Sequence, residues 1–285
     1  IISVKIPDTV TKIGNFAFEN CLNLVDVILP DNLDSIGLNL FYNCSSIPFC
    51  IIPTKVTQIP DYTFYNCSEL FFVEFHEKVT SIGSYSFCNC RNLSILTFSE
   101  GITQIPDYSF CNCSSLPSFD LNDNIRSIGS YAFFGCESFR NFSIHEKVTF
   151  IGTAAFSDVH NFMSFELDPN NSNYVYESNL IISKSDNSLI TYIHDQKTTE
   201  IFIPEKVTYI KDYAFYYQKD LKSISIPEGV THIGSHSFYN CFSITSLVIP
   251  DSVTVISDFA FAYCFLLESL TLSQNLESIG DYAFY

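Results

Sequence analysis

The sequence predicts an α/β solenoid in which about twelve short parallel strands run through residues 1–285 as one domain. Two observations lead to this fold: phenylalanine recurs at a fixed interval of 23 residues, and several other columns of residues keep step with it. A supersecondary unit that repeats in this way cannot bury its apolar face alone, so its copies must stack on one another.

Four columns define the repeat. Phenylalanine stands at positions 18, 41, 64, 87, 110, 133, 156, 215, 238, 261 and 284. Isoleucine occupies the position five residues earlier in each of these repeats, and Val, Leu or Ile stands three residues before that isoleucine. Cysteine holds a fourth column at positions 21, 44, 67, 90, 113, 136, 241 and 264. Eleven copies in register are too many to be a chance pattern.

Each repeat divides into two extended stretches and a turn. Asp26–Leu29 alternates outward and inward side chains and predicts a short strand. The proline that follows most such strands ends them, because it has no N–H to donate. The motif V-T-x-I predicts a second extended stretch. The Asp or Ser after it suits the N-cap of a short helical turn over A-F-x-N-C.

One repeat breaks the period. Leu167 and Ile203 occupy the same strand position but are 36 residues apart, so we expect an irregular repeat at about 168–203. Two apolar runs, 180–182 and 189–193, flank the polar segment 184–188, which predicts a β-hairpin projecting from the solenoid. A domain boundary at this point is the alternative. The repeats resume with the same consensus, which favours one continuous solenoid.

The columns resemble the BspA-like class of leucine-rich repeats, which has a 23-residue repeat. The resemblance rests on the core motif I-G-x-x-A-F-x-N-C-x-x-L, seen at 13–24, and covers nearly the whole chain. It implies a right-handed leucine-rich repeat superhelix with the parallel sheet on its concave side. It also implies a surface protein of bacteria or protists that binds a partner, and it supplies no catalytic residues. Both ends of the chain lie inside repeats, so we expect a fragment of a longer protein.

Composition excludes several classes of partner. The formal net charge is −17, and an acidic surface repels the phosphate backbone of nucleic acid. No apolar run reaches the roughly 18 residues that a membrane-spanning segment needs, so we expect no direct membrane insertion. The six histidines form no ligand or triad pattern, and no phosphate loop or nucleophile motif occurs. The sequence thus predicts neither an enzyme nor a cofactor.

The cysteines leave alternatives open. Those of the repeating column should line the core as small apolar residues, with stacked disulfides as the other possibility. Cys88 and Cys111 stand in the column after Phe, where Tyr is usual, and should be partly exposed. They could form a disulfide or remain free thiols, and a zinc site with Cys90 and Cys113 is less favoured because an Asn separates the two faces.

Two polar columns also permit more than one interpretation. Acidic residues after the strand-ending proline form a stacked rim that either keeps the solenoid soluble or binds cations weakly, with nearby lysines as local compensation. Glycosylation sequons begin at Asn43, Asn66, Asn92, Asn112, Asn141 and Asn170. Several of these belong to an Asn column that hydrogen bonds to the backbone would explain. Asn170, on a predicted loop, is the best candidate for a glycan.

A partner should contact the outward positions of the strands. Most of these positions are small and polar, including Ser118 and Asp120, but repeats two to five depart from this pattern. Their outward residues predict an apolar patch with one acidic neighbour: Ile28, Phe49, Ile51, Phe72, Glu74 and Ile95. Exposed apolar clusters mark interaction sites. The alternatives are that other parts of a longer protein cover the patch or that the inward and outward positions are exchanged.

These observations predict a non-catalytic binding scaffold on the cell surface or secreted. Its partner would be a protein or peptide, such as a host surface or matrix protein, held with Phe49 and Phe72 as anchors. The alternative is an intracellular, cytoplasmic protein-interaction scaffold, which the many unpaired cysteines favour because they suit a reducing compartment.

Overall fold

The computed structural model describes residues 1–117, 121–195 and 197–285. It divides into two compact units, an N-terminal unit at 1–155 and a C-terminal unit at 156–285. In both units short parallel strands stack at a spacing of one repeat, which makes each a β-solenoid. The predicted strand at 118–120 lies outside the described residues.

The N-terminal unit carries strands on two sides of each repeat. In chain order they are β1 (Ser3–Lys5), β2 (Asp26–Ile28), β3 (Phe49–Ile51), β4 (Gln58–Ile59), β5 (Phe72–Glu74), β6 (Ser81–Ile82), β7 (Ile95–Leu96), β8 (Gln104–Ile105), β9 (Ser127–Ile128), β10 (Asn141–Ile144) and β11 (Phe150–Ile151). On the first side β1 pairs with β2, and β3, β5 and β7 form one ladder. On the second side β4 pairs with β6, and β8, β9 and β11 form another ladder. The V-T-x-I stretch is thus the predicted second strand.

The C-terminal unit repeats this plan and adds the irregular segment. Its strands are β12 (Ser164–Leu167), β13 (Tyr174–Glu177), β14 (Leu180–Ser183), β15 (Ser188–Tyr192), β16 (Glu200–Phe202), β17 (Tyr209–Ile210), β18 (Ser223–Ser225), β19 (His232–Ile233), β20 (Ser246–Val248), β21 (Val255–Ile256), β22 (Ser269–Thr271) and β23 (Ser278–Ile279). The seven strands β13-β14-β15-β17-β19-β21-β23 form one sheet.

The irregular segment contains the predicted hairpin but does not project. β14 and β15 pair antiparallel, and β13, which the sequence did not predict, adds a third strand. β15 then pairs parallel with β17 and so opens the second-side ladder. Leu180, Ile182 and Leu189 are fully buried, and Tyr192 stacks on Phe215 at 5.7 Å between ring centroids. The hairpin is part of the core because its side chains complete the apolar face of the next repeat.

The phenylalanine column forms the centre of each core. Neighbouring rings stack in parallel at 5.3 to 5.7 Å from Phe18 to Phe133, and at 4.9 to 5.3 Å from Phe215 to Phe284. The column cysteines lie beside these rings, as predicted, and each thiol from Cys44 onward donates a hydrogen bond to a main-chain carbonyl of the preceding repeat. The bond from Cys67 Sγ to the Phe41 carbonyl oxygen is 3.1 Å long. Stacking therefore satisfies both apolar and polar groups.

The segment A-F-x-N-C is a chain of turns, so the helical part of the α/β prediction is not observed in the described residues. They contain no helix, and hence none that could cross a membrane. The reason lies in two positions of each repeat, four residues apart, that adopt positive φ. Tyr62 at 57° and Asn66 at 57° are one such pair. A left-handed residue at both ends of the segment cannot continue a right-handed helix.

The Asp and Asn side chains of the turn bond to the neighbouring repeat. Asp61 Oδ1 accepts the N–H of Ser84 at 2.8 Å, so the expected N-cap acts across the stack. The column asparagines bond side chain to side chain, where backbone bonds were expected: Asn66 Nδ2 donates to Asn43 Oδ1 at 2.6 Å and Asn43 Nδ2 to Asn20 Oδ1 at 2.9 Å. These bonds fix the register between repeats.

Cys88 and Cys111 are buried, with 5% and 6% of their surface exposed, where the sequence predicted partial exposure. Both are free thiols that hydrogen-bond to each other. All eleven cysteines are free, so the structure contains no stacked disulfides.

Candidate functional site

The six predicted site residues lie on the first side of the N-terminal unit, at the outward positions of β2, β3, β5 and β7. Ile28, Ile51 and Ile95 are about half exposed, at 48%, 57% and 50%. Phe49 is 41% exposed, Phe72 is half-buried and Glu74 is exposed. The central residues of the same strands, such as Cys50 and Val73, are buried. The outward and inward positions are therefore those that the sequence indicated.

Strand pairing brings most of these side chains together. Phe49 pairs with Phe72 and Phe72 with Ile95, which makes a row across three adjacent strands. Ile51 pairs with Glu74 beside this row. Side chains on one face of paired strands lie about 5 Å apart, close enough for contact. We call Ile28, Phe49, Ile51, Phe72 and Ile95 the apolar patch.

The sheet is interrupted at the edge of the patch. β2 belongs to the ladder with β1, and β3 to the ladder with β5 and β7; no main-chain ladder joins β2 to β3 in the described residues. In neighbouring repeats the residue before the strand donates its N–H to the preceding repeat. Val25 N donates to Ile2 O at 2.8 Å and Phe71 N to Pro48 O at 2.9 Å. Pro48 occupies this position in the third repeat and has no N–H to donate.

A cleft of about 220 Å³ opens at this interruption. Ile28 from β2 and Phe49 and Ile51 from β3 line it, together with the flanking residues Val27, Leu29, Asp31 and Pro53. Ligand-accepting pockets are typically apolar with a few polar groups at defined places, and this cleft follows that pattern on a small scale. It has room for one large side chain of a partner.

The charge at the cleft is mainly negative. The Asp31 carboxylate lines the cleft, and Glu74 lies next to Ile51 on the neighbouring strand. Lys5 pairs with Ile28 on the other side. Two of the lysines next to the acidic column pair with carboxylates outside it: Lys55 lies 4.0 Å from Asp34, and Lys206 bonds Glu177 at 2.8 Å. Within the described residues no cluster of three metal-ligating side chains occurs.

The sequence argument missed part of the exposed apolar surface. Val25 and Phe71, which directly precede β2 and β5, are 45% and 44% exposed and extend the patch along the same edge. Both residues lie just outside the predicted strands, where the alternation of inward and outward positions does not apply. The interruption could have been predicted from the sequence, because Pro48 stands at the position that Val25 and Phe71 occupy in the neighbouring repeats. Outward apolar residues also occur in the C-terminal unit, where Phe202 is 71% and Val248 63% exposed. Ser118 and Asp120 lie outside the described residues.

A family model described as the BspA-type leucine rich repeat region matches residues 1–116, 80–196 and 190–285, which together span the chain. The search of curated proteins found no match to the chain.

Several solved structures of bacterial repeat proteins are similar. A leucine rich cell surface protein from Faecalibacterium prausnitzii has 27% identity and a TM-score of 0.78, over 100% of this chain and 88% of its own. A leucine-rich repeat protein from Eubacterium ventriosum has 20% identity and a TM-score of 0.59, over 84% and 82% of the two chains. The pneumococcal vaccine antigen PcpA has 20% identity and a TM-score of 0.59, over 98% of this chain and 58% of its own.

Proposed function

We propose, because the chain belongs to the family of BspA-type leucine-rich repeat proteins, that it is a non-catalytic scaffold that binds a protein partner at the cell surface. The apolar patch is the contact surface, and Phe49 and Phe72 are its anchors. In this proposal the N-terminal unit is a right-handed superhelix that carries the patch on its concave side. The observation that supports this most is the patch itself: half-exposed Ile and Phe side chains in register on neighbouring strands, where most outward positions elsewhere are small and polar.

The surface location is supported by the likeness to the Faecalibacterium protein, which is described as a cell surface protein. The intracellular alternative rested on the free cysteines. Their burial weakens it, because most of these thiols are enclosed in the core and hydrogen-bonded to carbonyls, where oxidants reach them slowly whatever the compartment. Adhesion to a host protein is one form of this function.

The partner we expect is an extended segment with a large apolar residue next to a basic one. The apolar residue would occupy the cleft beside Ile28, Phe49 and Ile51. The basic residue would face Asp31 or Glu74, and the net charge of −17 would steer it to the surface.

Selection from a displayed library of random peptides tests this function. Binders are selected on the whole chain, and their affinities are measured for the double variant Phe49→Ser, Phe72→Ser. We expect affinity to fall at least about tenfold, because anchors of this kind each contribute on the order of 2 kcal/mol. Circular dichroism and the thermal midpoint should stay close to those of the wild type.

The matched control is Phe202→Ser, Val248→Ser, which removes exposed apolar residues at outward strand positions of the C-terminal unit. It should leave affinity unchanged. Equal binding by the wild type and the Phe49, Phe72 variant, or an equal loss in the control, would show that the patch is not the contact surface.

A further inference from the structure

A second column of aromatic rings, separate from the phenylalanine core, runs along the turns of the N-terminal unit. Tyr62, Tyr85, Tyr108 and Tyr131 stack face to face, with ring centroids 4.6, 4.4 and 4.5 Å apart and planes within 5 to 8° of parallel. These separations are shorter than those of the phenylalanine column. We call these four residues the tyrosine column. Neither the fold nor the binding function requires that the rings carry hydroxyl groups.

The backbone fixes this arrangement. Each of the four residues has φ between 55° and 58°, in the left-handed region where a bulky residue is costly. Each donates its N–H to a carbonyl of the next repeat, such as Tyr85 N to Asp107 O at 3.1 Å. Because the main chain repeats at nearly the spacing of stacked rings, all four side chains leave it in the same direction. The rings are half-buried, so an oxidant in solution can reach their edges.

The hydroxyl groups also lie side by side. Tyr85 and Tyr108 hydrogen-bond through their side chains, so the two rings point the same way as well as lying parallel. Each carbon ortho to a hydroxyl then lies about one stack spacing from its counterpart on the neighbouring ring. This is the arrangement from which two phenoxyl radicals combine through their ortho carbons.

We propose that the tyrosine column is a site of oxidative tyrosine–tyrosine coupling between adjacent repeats. A heme peroxidase supplied with hydrogen peroxide is the class of oxidant required. It removes one electron and one proton from each of two neighbouring phenols. The two radicals form one carbon–carbon bond between ortho positions. Each of these carbons then releases its hydrogen as a proton, and each phenol oxygen takes up a proton, which restores both aromatic rings and both hydroxyl groups. In total, two tyrosines and one hydrogen peroxide give one dityrosine and two waters.

Such a bond would join residues 23 positions apart and tie two repeats together. A repeat in a solenoid contacts only its neighbours, so a covalent tie between neighbours opposes local unfolding. A cross-link also stabilises by restricting the unfolded chain, as a disulfide does. The modification would therefore make the turns of the N-terminal unit more resistant to local unfolding, and it would leave the apolar patch accessible to a partner.

The C-terminal unit provides an internal comparison. The same column there contains Tyr213, His236, Phe259 and Tyr282, with centroids 4.9, 4.8 and 5.0 Å apart. The stacking is alike, but no two neighbours in this column are both tyrosine. A dityrosine bond between adjacent repeats therefore cannot form along this column.

The experiment treats the whole chain at low concentration with heme peroxidase and hydrogen peroxide and maps cross-linked peptides by mass spectrometry. We expect monomeric chains that have lost two hydrogens per linkage, joined at 62–85, 85–108 or 108–131. The stacked pair Tyr42 and Tyr65, at 4.7 Å, should couple in the same way. The thermal midpoint of the linked chain should rise.

The double variant Tyr85→Phe, Tyr131→Phe keeps every ring in the stack but leaves no two tyrosines adjacent in the column. It should lose all three linkages, whereas Tyr213→Phe, Tyr282→Phe should leave them unchanged. The proposal is overturned if linkages join tyrosines whether or not their rings stack on each other, or if linkages form only between molecules. It is also overturned if oxidation yields a disulfide between Cys88 and Cys111 without dityrosine. Because the column is not part of the apolar patch, peptide binding by these variants reports on the binding function independently.

Discussion

At the scale of single residues, the repeat depends on two positions per turn that adopt positive φ. Asparagine fills the second of them in most repeats, because it tolerates this conformation better than other non-glycine residues. Gly135 stands at this position in the sixth repeat, with φ of 69°. A Cβ atom there would lie 2.5 Å from Asn112 Oδ1. Asparagine at this position would be able to extend the side-chain ladder by bonding the same oxygen.

Gly135→Ala should therefore lower the free energy of unfolding by about 1 to 2 kcal/mol, because it adds a strained conformation and a close contact. Gly135→Asn should be less destabilising, since its amide can donate to Asn112 Oδ1. Gly14→Ala is the control, because a Cβ there would meet no atom within 4 Å. Urea unfolding measures all three. Equal effects of Ala and Asn at position 135 would contradict this account of the column.

Buried thiols make stability depend on alkaline pH. Burial raises the pKa of Cys50 from 9.0 to about 12, and burial also raises that of Cys264 to about 12. A thiol with a raised folded pKa keeps its proton in the native chain while the unfolded chain ionises. Its contribution to stability is thus complete below pH 9 and is lost as pH rises from there towards 12.

We expect the free energy of unfolding to fall between pH 8 and pH 10 by about 1 kcal/mol for each fully buried thiol. Urea unfolding at the two pH values measures this. Cys50→Ala should be less stable at both values but should show a shallower fall with pH. A fall as steep as that of the wild type would mean that Cys50 is not among the groups responsible.

At the scale of elements, the sequence predicted the strands well and the turns poorly. The alternation at 26–28 and 49–51 predicted strands because period-two burial is visible in any single repeat. The A-F-x-N-C turn was predicted as helical because its residues permit a helix; its two left-handed positions follow from stacking contacts 23 residues away. The hairpin was wrongly predicted to project, because the sequence of one repeat does not show what it pairs with. The added strand at 174–177 and the pairing of 188–189 with 209–210 both depend on contacts with residues outside the hairpin.

A proline, Pro48, stands at the interruption between β2 and β3 and supplies no N–H there. Pro48→Val introduces the residue that the preceding repeat has at this position, Val25. It restores an N–H that can donate to the main-chain carbonyl of Val25. We expect β2 and β3 to pair, the cleft to narrow, and selected peptides to bind more weakly although every side chain of the apolar patch is present. Stability should change by less than about 1 kcal/mol, since the new hydrogen bond offsets the loss of the rigid proline.

Amide hydrogen exchange in residues 25–29 and 49–53 measures this pairing, and peptide titration measures the affinity. Slower exchange together with unchanged affinity would show that the cleft does not take part in binding.

At the scale of the whole molecule, we expect the net charge and the apolar patch to affect different steps of binding. We expect the net charge of −17 to increase the rate at which a basic partner associates. On the proposed function, the apolar patch is local and sets the rate at which the partner dissociates. The patch was predictable because outward positions of neighbouring repeats can be compared directly. The cleft was not, since it depends on how strands separate around Pro48.

Hydrogen exchange of the whole chain, with and without a saturating selected peptide, tests the central claim most directly. The account predicts that protection from exchange concentrates in 25–29, 49–53, 71–74 and 95–96 and leaves the turns and the C-terminal unit unchanged. Protection that lies mainly in the turns, or in the strands at 200–202 and 246–248, would contradict it.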